Sequence, residues 1–293
     1  MLTIGSLCTG IGGLDLAVAQ HFDATPIWVS DNDPQVSEWL TVRLPDVPNL
    51  GDLRQVDPST LKVPDILTAG WPCQPVSRAG RHRGTDDDRW LFDSIIEFID
   101  RLPQLPPRLV VENVPHLLSH DQGRTGLGVV RQVAELGYDL RWGVVRASDA
   151  GLPHRRARFF AVATHAERLG AGRGRPRQVP GTTGPREGQG EGRQRLRPDP
   201  GHGRSLDRPR SSWGDYGKAI ARWERLTGRH HPPALVDDRL SPAWVEWAMG
   251  FEPGYLTNVI DHRRHALRIL GNAVVPQQGR LALQLLEPDL SAS

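Results

Sequence analysis

Short apolar runs alternate with stretches of helical spacing over residues 1–165, the pattern of β-α-β units around a mostly parallel sheet. The runs predict strands at 2–8 (LTIGSLC), 26–31 (PIWVSD), 65–70 (DILTAG), 108–113 (RLVVEN), 140–146 and 157–164 (ARFFAVAT). Residues 13–21 and 91–101 predict helices; in LFDSIIEFI, Leu91, Ile95, Ile96 and Ile99 share one face. The expected fold is an open α/β sheet. Ligands in such sheets bind beyond the carboxyl ends of the strands, so the residues that follow each strand are the first candidates for chemistry.

The pattern breaks at 168–210, where ten glycines and six prolines leave Leu169, Val179, Leu196 and Leu206 as the large apolar residues. That composition cannot build a core. Helical spacing returns with Tyr216, Ile220, Trp223 and Leu226, predicting a packed helix within 211–236. In RLSPAWVEWAMGF (239–251), Ser241 is placed to cap a helix that has Pro242 at its first position. A last amphipathic helix is expected at 279–287, after LGNAVVP.

Charge sharpens this division. The net charge of the 293 residues is +2, yet 168–210 holds eleven arginines against Glu187, Glu191, Asp199 and Asp207, a local +7 that leaves −5 elsewhere. A mildly acidic body with a basic insert suits a polyanionic partner; a basic linker is the plainer reading. With two cysteines, no basic start followed by an apolar segment, and no apolar run near the ~18 residues of a membrane span, a soluble intracellular protein with a free thiol is expected.

The first strand runs into CTGIGG (8–13), where glycine permits a tight turn and close approach of backbone to a ligand. Asp31 ends the second strand, where a carboxylate is suited to accept two ribose hydroxyls. This layout fits an adenosine-containing cofactor, and it lacks both the G-x-G-x-x-G of dinucleotide binders and a Walker lysine. Asp52, in LGDLRQV, is either an acceptor for an adenine amino group or a turn cap. Cys73 stands between Pro72 and Pro75 in GWPCQPVS, with polar neighbours Gln74 and Ser77. The prolines stiffen the loop, so Cys73 reads as an aimed nucleophile or as filler. Glu112 closes an apolar strand, where it must be paired or held protonated. Arg156 and Arg158 alternate onto one face of the next strand, facing a ligand oxygen or solvent.

In order along the chain, SLCTGIGGLDLA, PCQPVS, ENV, HRRAR, RLSP and LGNAVVP resemble the motifs of the cytosine-5 DNA methyltransferase family. The resemblance implies a Rossmann-like S-adenosylmethionine-dependent fold with a mostly parallel sheet and a small irregular target-recognition region. It divides the chain into a catalytic and cofactor-binding part (1–167), a recognition region (168–238, with 170–210 rich in Gly, Arg and Pro) and a C-terminal part (239–293) that returns to the first. By carry-over, Cys73 is the nucleophile, Glu112 the acid at ring nitrogen 3, and Arg158 with Arg156 the donors to the 2-oxygen. S-adenosylmethionine would meet Cys8, Gly10, Ile11, Gly12, Gly13, Asp31, Asn32, Asp52, Leu53, Trp71, Pro72 and Asn272. Double-stranded DNA would meet Gln74, Ser77 and Arg239, with no metal and no membrane involved and the protein a monomer. Cys8 replaces the family's usual phenylalanine, His154 its glutamine, and Asn32 a frequent aromatic. Two rivals share much of this pattern, an RNA cytosine-5 methyltransferase and a catalytically silent DNA binder.

Overall fold

The computed structural model describes residues 1–72, 90–165 and 210–287. Six strands, β1 (Leu2–Leu7), β2 (Ala24–Ser30), β3 (Ile66–Ala69), β4 (Arg108–Asn113), β5 (Tyr138–Arg146) and β6 (Ala157–His165), form one sheet in the order β2-β1-β3-β4-β6-β5. The pairs β1–β2, β1–β3 and β3–β4 are parallel, and β6 runs antiparallel to both β4 and β5. The expected mostly parallel α/β sheet is what forms. Its direction of winding reverses between β1 and β3, which opens a crevice at their carboxyl ends.

Each strand feeds two cores by simple alternation. Val110, Phe160 and Val162 pack with Ile4 and Ile66 beneath α1 (Gly13–Phe22) and α8 (Pro276–Leu286). Leu109, Val111, Phe159 and Ala161 face the other way, against α3 (Phe92–Asp100) and α4 (Arg124–Glu135). A third cluster lies beyond the strand ends. It joins Ile11 of the glycine turn to Trp39 and Leu40 of α2 (Pro34–Arg43), Ile220 and Trp223 of α5 (Gly217–Thr227), Trp247 of α6 (Pro242–Ala248), and Ile269 and Leu270 of α7 (Arg263–Asn272).

Several helix starts follow from single residues. Asp33 accepts from the backbone N–H of Gln35 and Val36, and Pro34 takes the first helical position, so α2 begins there. Ser241 caps α6 by accepting from Trp244 N at 3.4 Å. The buried face of α5 is narrower than its spacing suggests: Ile220 and Trp223 are buried, whereas Tyr216, just before the helix, and Leu226, in its last turn, are 56% and 64% exposed. A two-strand hairpin, β7 (Leu235–Val236) with β8 (Arg239–Leu240), precedes α6.

Candidate active site

A cleft of about 310 Å3 opens where β1 to β4 end, lined at one end by Cys8, Gly10, Asp31 and Asn32 and at the other by Trp71, Glu112 and Arg158. Between β1 and α1 the backbone turns through left-handed residues, Cys8 (φ 53°), Gly10 (φ 54°) and Gly12 (φ 67°). Gly13 is required for a different reason: a Cβ there would stand 2.1 Å from the carbonyl oxygen of Val274, so the loop before α8 sits directly on the turn. Gly12 caps α1 without a side-chain acceptor, and although the Asp15 carboxylate takes the N–H of its own residue, the start of the helix at Gly13 and Leu14 lines the cleft.

Asp31 closes this end of the cleft. Its carboxylate accepts from Gly10 N at 2.8 Å and from Asp33 N at 3.0 Å, and burial pushes its pKa up against those two bonds. Each oxygen keeps a lone pair for a hydroxyl. Cys8 lines the cleft with a thiol that burial, and then the charges of Asp31 and Asp52, push up to about 12. It is a neutral, inert wall. Asp52 serves as a cap, accepting from Arg54 N at 3.1 Å and pairing with the Arg54 guanidinium at 2.6 Å, while Asn32 reaches it at 3.5 Å. Leu53 is buried in the core beside α3. Trp71 is buried against Trp90 and Phe92, and Pro72 and Asn272 lie on the rim.

At the other end Glu112 is 6% exposed, and its Oε1 accepts from Arg158 Nε at 2.9 Å. Burial raises its pKa, and Arg158 and then Arg156 act against the rise without cancelling it. Both readings of a strand-end glutamate therefore hold at once: Glu112 is paired, and it retains a proton more readily than an ordinary carboxylate. Strand β6 is interior, so Arg158 is no surface charge. Arg156 precedes the strand and turns elsewhere, donating at 2.8 Å to the carbonyls of Gly271 and Ala273. It braces the loop between α7 and α8, and the alternation that put both arginines on one face does not apply.

Neighbouring residues fix this wall. Asn113 Nδ2 donates to the Trp71 carbonyl at 3.2 Å, which ties the end of β4 to the chain two residues before Cys73. His154 donates through Nε2 to the Ala248 carbonyl at 3.0 Å; burial, then Arg156, lowers its pKa to about 4, so the ring is neutral at pH 7. Cys73, Gln74 and Ser77 lie outside the described residues, as does the stretch 166–209. Arg239 is exposed on the hairpin.

Sequence reasoning missed Asp15, which lines the cleft floor and accepts from Ser6 Oγ at 2.9 Å and Thr68 Oγ1 at 2.5 Å. Burial raises its pKa to about 6 despite both bonds. Arg268 of α7 was missed as well. It lines the cleft and pairs with the cap residue Asp33 at 2.6 Å, fastening the C-terminal part to α2. Among the described residues there is no group of three or more His, Cys, Asp or Glu able to hold a metal, and no helix long and apolar enough to cross a membrane.

Comparison with known proteins gives this arrangement a context. A match to the family described as C-5 cytosine-specific DNA methylase covers residues 2–183. The Type II methyltransferase M.NgoBI of Neisseria gonorrhoeae is 36% identical over 157 residues, which are 53% of this chain and 48% of that protein. M.NlaX of Neisseria lactamica is 34% identical over 163 residues, 55% of this chain and 52% of the relative. The chain thus spans about half the length of these curated relatives. Among solved structures, the Entamoeba histolytica methyltransferase EhMeth superposes with a TM-score of 0.64 at 15% identity, covering 99% of each chain. The Dnmt2 methyltransferase of S. pombe gives 0.62 at 17% identity over 98% of this chain and 99% of its own. At those identities the likeness is one of fold.

Proposed function

From the premise that the chain belongs to the C-5 cytosine-specific DNA methylase family, we propose that it transfers a methyl group from S-adenosylmethionine to carbon 5 of a cytosine in duplex DNA. The observation that carries this reading is the buried Glu112–Arg158 pair on the wall of the cleft that also holds the glycine turn and Asp31. A binding protein has no evident use for a buried carboxyl at that place whose pKa burial raises against its arginine partner. The turn, the uncapped start of α1 and Asp31 fit a ligand with a ribose at one end and a carboxylate at the other. When bound, S-adenosylmethionine supplies an electrophilic methyl group.

The residues divide the remaining work. Carbon 5 of cytosine is a poor nucleophile, so Cys73 adds its sulfur to carbon 6 and passes electron density to carbon 5. Glu112 donates a proton at ring nitrogen 3 as charge builds there, and Arg158 holds Glu112 in place and faces the 2-oxygen. After transfer the carbon-5 proton leaves to a base and Cys73 is expelled. The target base must leave the duplex stack to reach such a pocket. Functionally, 1–167 carries the chemistry, 168–238 the recognition of DNA and 239–293 the support of the cofactor turn, with the protein acting inside the cell. Helix α5, within the second segment, packs into the same core as α6 and α7.

The test is transfer of labelled methyl from S-adenosylmethionine to duplex DNA and, in parallel, to transfer RNA. Label in DNA that falls by ~10²–10⁴ with Glu112→Gln supports the reading. Label in RNA alone, or none in either, overturns it.

A further inference from the structure

Residues 246–257 fold around one buried carboxylate. Glu246 is 1% exposed and accepts from Gly254 N at 2.8 Å, Leu256 N at 2.6 Å, Thr257 N at 3.0 Å and Thr257 Oγ1 at 3.0 Å. Four donors on one anion fix the loop that carries Tyr255. The Tyr255 ring stacks on Phe251, with centroids 4.9 Å apart. Its backbone carbonyl takes Trp39 Nε1 at 2.8 Å and Arg43 Nε at 3.1 Å, and Arg43 also donates to the Gly254 carbonyl. So anchored, the Tyr255 hydroxyl donates to the carbonyl of Ile11 at 3.0 Å, inside the glycine turn.

That contact reaches the cofactor end of the cleft from a segment 244 positions away. The Ile11–Gly12 peptide is pinned from both sides, because its carbonyl accepts from Tyr255 and its N–H donates to Thr9 O at 3.0 Å. With the peptide plane set, so is the direction of the first-turn N–H groups of α1. The hydroxyl stays protonated throughout the working range, since burial and then Asp15 push its pKa well above the usual phenol value.

We infer that Tyr255 is a positioning residue for S-adenosylmethionine: its hydroxyl holds the Gly10–Gly13 turn in the binding conformation. This rests on the cofactor reading given above. Tyr255→Phe keeps the ring and its stacking and removes one hydrogen bond, so the dissociation constant for S-adenosylhomocysteine, measured by calorimetry, is expected to rise about three- to tenfold. Cofactor-free affinity for duplex DNA and kcat at saturating cofactor should stay within about twofold, a split that general loosening of the fold would not give. Arg43→Gln, on an exposed side chain that secures the same loop, should shift the constant in the same direction by less. Tight binding by the parent protein with an unchanged constant in Tyr255→Phe overturns the inference alone. Absence of binding by the parent protein overturns the cofactor reading and the inference with it.

Discussion

Asp15→Asn isolates one buried charge on the floor of the cleft. Asp15 is held by two hydroxyls and its pKa stands near 6 instead of 3.8, because burial outweighs the bonds from Thr68 and Ser6. At ~1.4 kcal/mol per pKa unit the shift corresponds to about 3 kcal/mol between the two protonation states. The folded pKa lies above the unfolded one, so the folded chain binds a proton near pH 5 that the unfolded chain has released. The stability from that proton is complete below pH 3.8 and is lost as pH rises through 6. An asparagine does not titrate. Urea unfolding followed by circular dichroism, at pH 4.5 and pH 8, gives the difference between variant and parent at each pH. That difference should move by about 2 kcal/mol in favour of the variant on going to pH 8, whatever constant offset the amide brings. Titrations elsewhere cancel in the comparison. Equal differences at the two pH values would refute the claim that Asp15 is a strained buried acid.

Other expectations follow from single contacts. Gly13→Ala places a Cβ against the Val274 carbonyl, where backbone must yield; binding of S-adenosylhomocysteine should weaken more than tenfold in calorimetry, and unchanged affinity would contradict the packing described. Arg158→Leu leaves Glu112 buried without its nearest partner, a loss of about 3–5 kcal/mol when the carboxylate is ionised. Because protonation relieves that loss, thermal unfolding should show a larger deficit at pH 9 than at pH 6, and a deficit independent of pH would point to packing instead.

Much of the fold is legible in the sequence because strands buried on both faces read as apolar runs: RLVVEN and ARFFAVAT announce themselves. Helix α2 has a readable start in the Asp33-Pro34 cap, but its buried residues Val36, Trp39 and Leu40 are too few to make an apolar stripe. Helix α4 carries Gly126 and Gly128, and α7 opens on Arg263 and Arg264, cations at the end of a helix that disfavours them; local preference hides both. In the cleft, Glu112 and Asp31 stand where the rule that ligands bind beyond strand ends directs attention. Asp15 does not: its role exists only once Ser6 and Thr68, on two different strands, meet it. Arg156 and Arg158 looked equivalent until the strand began at Ala157. That one-residue boundary sends the first to a backbone loop and the second to Glu112.

The central claim is cytosine methylation, and bisulfite sequencing of plasmid DNA from cells expressing the protein tests it most directly, beside a Cys73→Ser control. Protected cytosines in one repeated sequence context, absent with the control, are the expected result. Full conversion of the plasmid by bisulfite in both samples, with both proteins folded and present, would contradict the account.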